Sequence, residues 1–206
     1  MRIGLDFDNT IVSYDTLFHK VALEQRLAPS DLAQTKLAVR DYLRSQGKEQ
    51  TWIEMQGYVY GARMSEAEFY PGVLDFFRWA RANGVPTFIV SHKTRHPFAG
   101  PKYDLHEASR AWVSTYLHDQ STTFIEPGAV YFELTKQEKL ARITELKCSL
   151  YLDDLPEILL DPMFPRGTEP LLFDPEGHHP DVQLSRIRSW RQLQKIVEQM
   201  WSQSRS

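Results

Sequence analysis

The chain has 206 residues, 42% of them hydrophobic, with 24 Lys and Arg against 27 Asp and Glu for a formal net charge of -3. That length supports one full core with at most a small accessory domain, and the near-balanced charge lacks the basic footprint of a nucleic-acid binder, so no nucleic-acid partner is expected. Cys148 is the single cysteine, which rules out an internal disulfide and fits a reducing compartment. No apolar run approaches the roughly 20 residues of a membrane span, and charged residues interrupt the first apolar stretch, unlike a signal peptide. The expectation is a cytoplasmic protein with no membrane association.

The first element is the apolar run Ile3 to Phe7, read as a short buried strand. It ends in Asp6-Phe7-Asp8-Asn9-Thr10, so two carboxylates stand one residue apart at its carboxyl end, with a threonine two residues on. In open α/β sheets that edge is where ligands bind. Carboxylates crowded there repel one another unless a cation lies between them, and a hard, oxygen-preferring ion such as Mg2+ suits them. Residues 14–70 carry helical patterns and no strand signal: Asp15 can cap a helix to about Gln25, Ser30 another ending near Gly47, and Trp52, Met55 and Tyr58 mark a third. This segment reads as a helical insertion, 14–70, in a core domain made of 1–13 and 71–206. Ser65 with Glu68 has the spacing of a capping box, ahead of a helix over Pro71 to Ala82 that stops at Gly84.

The alternation of strands and helices that follows predicts an α/β fold, a Rossmann-like parallel sheet flanked by helices. The expected strands are Thr87 to Val90, Val130 to Phe132, Leu150 to Leu152 and Leu171 to Phe173. A helix from Asp104–Glu107 to about Tyr116, another opened by Thr135 and Glu138, and an amphipathic tail from Trp190 to Trp201 complete the pattern. The closing Ser-Gln-Ser-Arg-Ser is expected to fray. Cys148, in an apolar stretch, is read as a small core residue.

Three of these strand ends carry chemistry. Ser91 follows Phe88-Ile89-Val90 and precedes His92, Lys93, Thr94, Arg95 and His96, a hydroxyl and cations suited to holding a phosphoryl oxygen. Lys136 lies in the first turn of the helix capped by Thr135, where an ammonium opposes the helix macrodipole, a cost that suggests it is needed there; Lys139, one turn on, is the competing candidate. Asp153 and Asp154 follow Leu150-Tyr151-Leu152, two further carboxylates for the same edge.

Asp6-Phe7-Asp8-Asn9-Thr10, then Ser91, Lys136 and Asp153-Asp154, in that order on successive strands, resembles the four motifs of the haloacid dehalogenase (HAD) superfamily of phosphohydrolases, and the alternating architecture extends the likeness over most of the chain. Two departures are Asn9, where many members have Gly, and the paired Asp153-Asp154 in place of Gly-Asp with a later acid. The resemblance implies a helical class 1 cap for residues 14–70. It implies Asp6 as nucleophile and Asp8 as general acid and base. Mg2+ would be held by Asp6, the backbone carbonyl of Asp8 and Asp154, with Asp153 beside it. Ser91, Lys136 and His92 would hold the phosphoryl group, and Thr10, placed with them, would fix the turn. Arg95, Tyr58 and Tyr60 would set specificity. The activity implied is hydrolysis of a small phosphorylated metabolite, a sugar or polyol phosphate in preference to a nucleoside monophosphate; a catalytically silent phosphate- or partner-binding module is the reading from another class. Oligomeric state is not readable from these features.

Overall fold

A computed structural model of the chain describes residues 1–120 and 122–203. A six-stranded sheet comprises β1 (Ile3–Leu5), β2 (Thr87–His92), β3 (Val130–Glu133), β4 (Leu150–Asp153), β5 (Glu169–Phe173) and β6 (Arg186–Ile187). Its order is β6-β5-β4-β1-β2-β3 and every pairing is parallel. β1 is therefore flanked by β2 and β4, strands that arrive from opposite directions of the winding. The carboxyl end of β1 is the switch point where α/β sheets open a crevice. Five strands fall where the apolar runs predict them. β6 is an addition; two residues are too few to show a period.

The helices are α1 (Asp15–Glu24), α2 (Lys36–Ser45), α3 (Glu49–Tyr60), α4 (Val73–Ala82), α5 (Leu105–Tyr116), α6 (Lys136–Glu145), α7 (Pro156–Leu159) and α8 (Trp190–Gln203). The capping box predicted for α6 is formed, with Thr135 Oγ1 accepting from Glu138 N–H and the Glu138 carboxylate accepting from Thr135 N–H. Asp104 accepts from Glu107 N–H at the start of α5. Three start signals are corrected. Asp15 is the first residue of α1, not its cap, and its carboxylate accepts from Lys36 N–H. Thr35, not Ser30, caps the second helix, accepting from Ala38 N–H. Ser65 lies within a 3-10 turn over Met64–Glu66 and Glu68 in a two-residue strand, Glu68–Phe69, in the segment expected to be all helical; α4 begins later, at Val73. Of the tail expected to fray, Ser202 and Gln203 are helical, and residues 204–206 lie outside the described residues. Among the described residues no helix is long and apolar enough to cross a membrane.

The chain divides into two compact units. The first takes Met1–Ile11, Phe69–Lys93 and the chain from Ser114 onward; the second takes Val12–Glu68 with Thr94–Val113. The core domain expected over 1–13 and 71–206 therefore does not include 94–113, which belongs to the second unit. It joins the insertion through close backbone approaches: a Cβ on Gly57 would meet Pro97 Cβ at 2.6 Å, one on Gly61 would overlap the Tyr103 ring, and Trp112 Nε1 donates to Ala67 O at 2.8 Å. Only glycine admits such contacts.

In the sheet unit, Val90, Leu140, Ile143, Cys148, Tyr151, Ile158, Leu159 and Leu172 form a buried cluster beneath the strand ends. Cys148 is 2% exposed, and burial pushes its thiol up to about 12. At pH 8 the native protein is expected to resist labelling by a thiol-reactive disulfide and to label fully in denaturant. Rapid native labelling would show that the core around β4 opens.

Candidate active site

The site residues at the carboxyl edge of the sheet all belong to the first unit. Asp6 N–H donates to Leu152 O at 2.8 Å, which extends the β1–β4 ladder to the residue that carries the first carboxylate. The chain then turns at Asn9, whose φ of 55° lies in the left-handed region. Asn tolerates that region better than most side chains, which accounts for Asn where a glycine would also serve. Thr10 is fully buried; its carbonyl accepts from Trp190 Nε1 at 3.0 Å, and its Oγ1 reaches Asp154 Oδ1 at 3.5 Å. Thr10 therefore anchors the turn and Asp154 rather than presenting a hydroxyl to an incoming phosphate, a correction to its place among the phosphate-binding residues.

Lys139 is the centre of the cluster. It is 1% exposed, and its Nζ lies 2.6 Å from Asp6 Oδ1 and 2.7 Å from Asp153 Oδ2. Lys136, the residue expected there, instead pairs with Asp161 at 2.5 Å. The reason is axial. In a helix Cα–Cβ bonds tilt toward the N-terminus, so a first-turn side chain overshoots the strand ends. A residue three positions later starts about 4.5 Å deeper and extends its stem back up to the edge. Asp161 also offsets the cost of a cation at the start of α6.

Asp153 is fully buried; its Oδ1 accepts from Leu155 N–H at 3.0 Å while Oδ2 faces Lys139. Asp154 is half-buried at the rim. Asp6, Asp153 and Asp154 each offer an oxygen, and these lie within 4.8 Å of one another. Three carboxylates against the single Lys139 ammonium leave a formal excess of two negative charges. Burial dominates the electrostatics: it pushes the Asp6 carboxyl up to about 7 against the opposing pull of Lys139, and it raises Asp153 as well. Burial by itself would lower Lys139, but the facing Asp153 and Asp6 carboxylates outweigh it and hold the ammonium protonated. An all-oxygen set carrying this excess charge fits a hard divalent cation.

The carboxylate of Asp8 faces Lys93, whose Nζ lies 2.8 Å from Oδ2. Lys93, expected among the cations suited to a phosphoryl oxygen, is thus engaged with Asp8. Ser91 is 2% exposed, in register with Phe132 on β3. His92 is half-buried at the end of β2, and burial, followed by the charge of Lys139, holds its imidazole below the ordinary histidine range.

The three residues expected to set specificity lie in the second unit. Arg95 Nε is 3.0 Å from Asp104 Oδ2. Tyr58 stacks with Arg63, which also pairs with Glu24 and Glu66. Tyr60 packs edge-on against Tyr14 and Phe18, and Phe18 lies against Trp52. These contacts make Tyr60 part of the packing of that unit.

A parallel α/β sheet thus gathers aspartates and a buried lysine at its switch point. The sequence profile of the haloacid dehalogenase-like hydrolases matches residues 3–102. Among solved structures, a HAD-superfamily hydrolase from Ehrlichia chaffeensis is similar over 96% of both chains at 13% identity, with a TM-score of 0.55. A HAD family hydrolase from Deinococcus radiodurans R1, determined with bound phosphate and sodium, is similar over 93% of this chain and 92% of its own at 16% identity, with a TM-score of 0.54. No curated protein matches the chain. The profile match over residues 3–102 and the shared fold together support membership of the haloacid dehalogenase superfamily.

Proposed function

We propose that the protein is a Mg2+-dependent phosphohydrolase that acts on a small phosphomonoester through an aspartyl-phosphate on Asp6. The observation that carries this reading is the pair Asp6 and Asp8 at the switch-point end of β1, with the Lys139 ammonium 2.6 Å from Asp6. One carboxylate suffices to attack carbon or phosphorus. The second is needed where a poor alkoxide leaving group must be protonated, which favours phosphoester over carbon–halogen cleavage.

Asp6 attacks phosphorus, the ester P–O bond breaks, and Asp8 gives a proton to the departing oxygen. Asp8, now a carboxylate, takes a proton from a water that attacks the aspartyl-phosphate. The P–O bond to Asp6 breaks, and phosphate and a regenerated Asp6 result. Lys139 and the Ser91 hydroxyl meet the charge on the phosphoryl oxygens, and neutral His92 serves as a hydrogen-bond donor beside them. Asp6, the Asp8 carbonyl and Asp154 would hold Mg2+, with Asp153 positioning Lys139. When bound, the ion neutralises phosphoryl charge and orients the transferring group.

A sugar or polyol phosphate is favoured over a nucleotide. Trp52 and Tyr60, aromatic side chains of the insertion suited to stacking on a base, are instead packed against Phe18. Tyr58 and Arg95 are the remaining specificity candidates. Hydrolysis of acetyl phosphate and of a panel of sugar phosphates with Mg2+ tests the reading; full activity in excess EDTA, or silence on every ester, would refute it.

The raised carboxyls add a thermodynamic test. A buried Asp whose pKa is pushed from 3.8 to about 7 contributes stability that is fully present below its unfolded value and is lost as pH rises through its folded value. Without metal, ionising Asp6 therefore costs stability between about pH 4 and 7, and a cation that binds the ionised cluster recovers it. Saturating Mg2+ is expected to raise Tm more at pH 8 than at pH 5. An equal rise at both would place the binding elsewhere.

A further inference from the structure

The reading above leaves unused a second buried ammonium beside the aspartates that follow β1. Lys93 is 6% exposed, and its Nζ lies 2.9 Å from Oδ1 and 2.8 Å from Oδ2 of Asp8. Engaging both oxygens at once restrains the carboxylate's rotation as well as its position. Lys93 is itself fixed: its N–H donates to Glu133 O at 2.8 Å across β2 and β3, and its ammonium lies 5.8 Å from the Phe7 ring centre. Ordering and burying a lysine costs rotamer freedom besides desolvation, and the contact with Asp8 offsets that cost.

We propose that Lys93 is a positioning residue, which locks the Asp8 carboxyl group in the orientation from which it exchanges a proton first with the leaving oxygen and then with water. The proposal rests on the phosphohydrolase reading. Proton transfer demands placement of the acid to within a fraction of an ångström, and a carboxyl group left to rotate would meet that demand only part of the time. Because the proposed role of Lys93 runs through Asp8, its contribution to turnover must vanish when Asp8 is removed. It must also matter most where the leaving group most needs a proton.

Lys93→Met, Asp8→Asn and the double variant, assayed with Mg2+ on glycerol phosphate and on acetyl phosphate, test both consequences, and urea unfolding of the four proteins gives a second cycle. Lys93→Met is expected to lower kcat on the alkyl ester between about 10- and 100-fold, with far less effect on acetyl phosphate, and to have no further effect in the Asp8→Asn background. Lys93→Arg, which keeps a cation, is expected to recover part of the loss. Unfolding free energies should be non-additive. Equal losses on both esters that persist without Asp8 would mean that Lys93 touches substrate, and additive unfolding would mean that the pair does not hold Asp8; either overturns the proposal. A wild type silent on every ester would remove the phosphohydrolase reading instead, and the unfolding cycle would still decide whether Lys93 holds Asp8.

Discussion

Asp6→Asn is expected to abolish turnover and leave the fold intact. An amide oxygen is a poor phosphoryl acceptor, so the covalent step has no nucleophile, whatever else the site retains. The fold survives because Lys139 keeps its contact with Asp153 at 2.7 Å, and because the substitution removes a carboxyl that burial and its acidic neighbours already strain. Thermal unfolding of the metal-free variant at pH 8 should therefore match or exceed that of the wild type. Asp8→Asn is expected to be slower than wild type by roughly 10^2 to 10^4, the usual worth of a positioned acid and base, and to retain the ability to form some covalent adduct with an activated ester. Near-native rates for Asp6→Asn would end the covalent mechanism, and mass spectrometry of the denatured, substrate-quenched protein gives an independent view of it.

The second large effect distinguishes the two lysines of α6. Lys139→Ala leaves Asp6 and Asp153 buried and facing one another without their counter-charge, and breaking a buried pair from one side costs about 3–5 kcal/mol. The same change deprives the phosphoryl group of a charge aimed at it, so activity should fall by about 10^2- to 10^3-fold, as for loss of one electrostatic donor. Lys136→Ala removes only a partly exposed pair with Asp161, an interaction of about 0–1 kcal/mol, and activity should stay close to wild type. Urea unfolding and kcat/KM on acetyl phosphate are sufficient measurements. The reverse ranking would return the phosphate-binding role to Lys136.

The choice between those lysines shows where local reasoning stopped. Apolar runs at Ile3, Thr87, Val130, Leu150 and Leu171 declare themselves through composition and spacing, and the capping box of Thr135 and Glu138 is written within four residues. Strand and helix alternation implies a parallel sheet, and because parallel strands end at the same edge, Asp6, Ser91 and Asp153 fall there together. All of this depends on interactions between near neighbours in the chain, whose energies vary little with the rest of the fold. The order of acidic and hydroxyl motifs along the chain therefore pointed to the family and to the sheet edge that carries the candidate site.

Tertiary packing decided the partners. Lys136 and Lys139 stand 60° apart around the same helix, so no periodicity separates them; only the depth at which α6 packs against the strand ends sets which ammonium reaches Asp6. Lys93 became a partner of Asp8 because β2 lies beside β1, and Thr10 became an anchor because α8 brings Trp190 to its carbonyl. Residues 94–113 joined the insertion because Gly57 and Gly61 leave room for Pro97 and Tyr103. Each of these contacts depends on burial and on distance through space, and the energy of a charge or a packed ring is set by those quantities and not by its place along the chain.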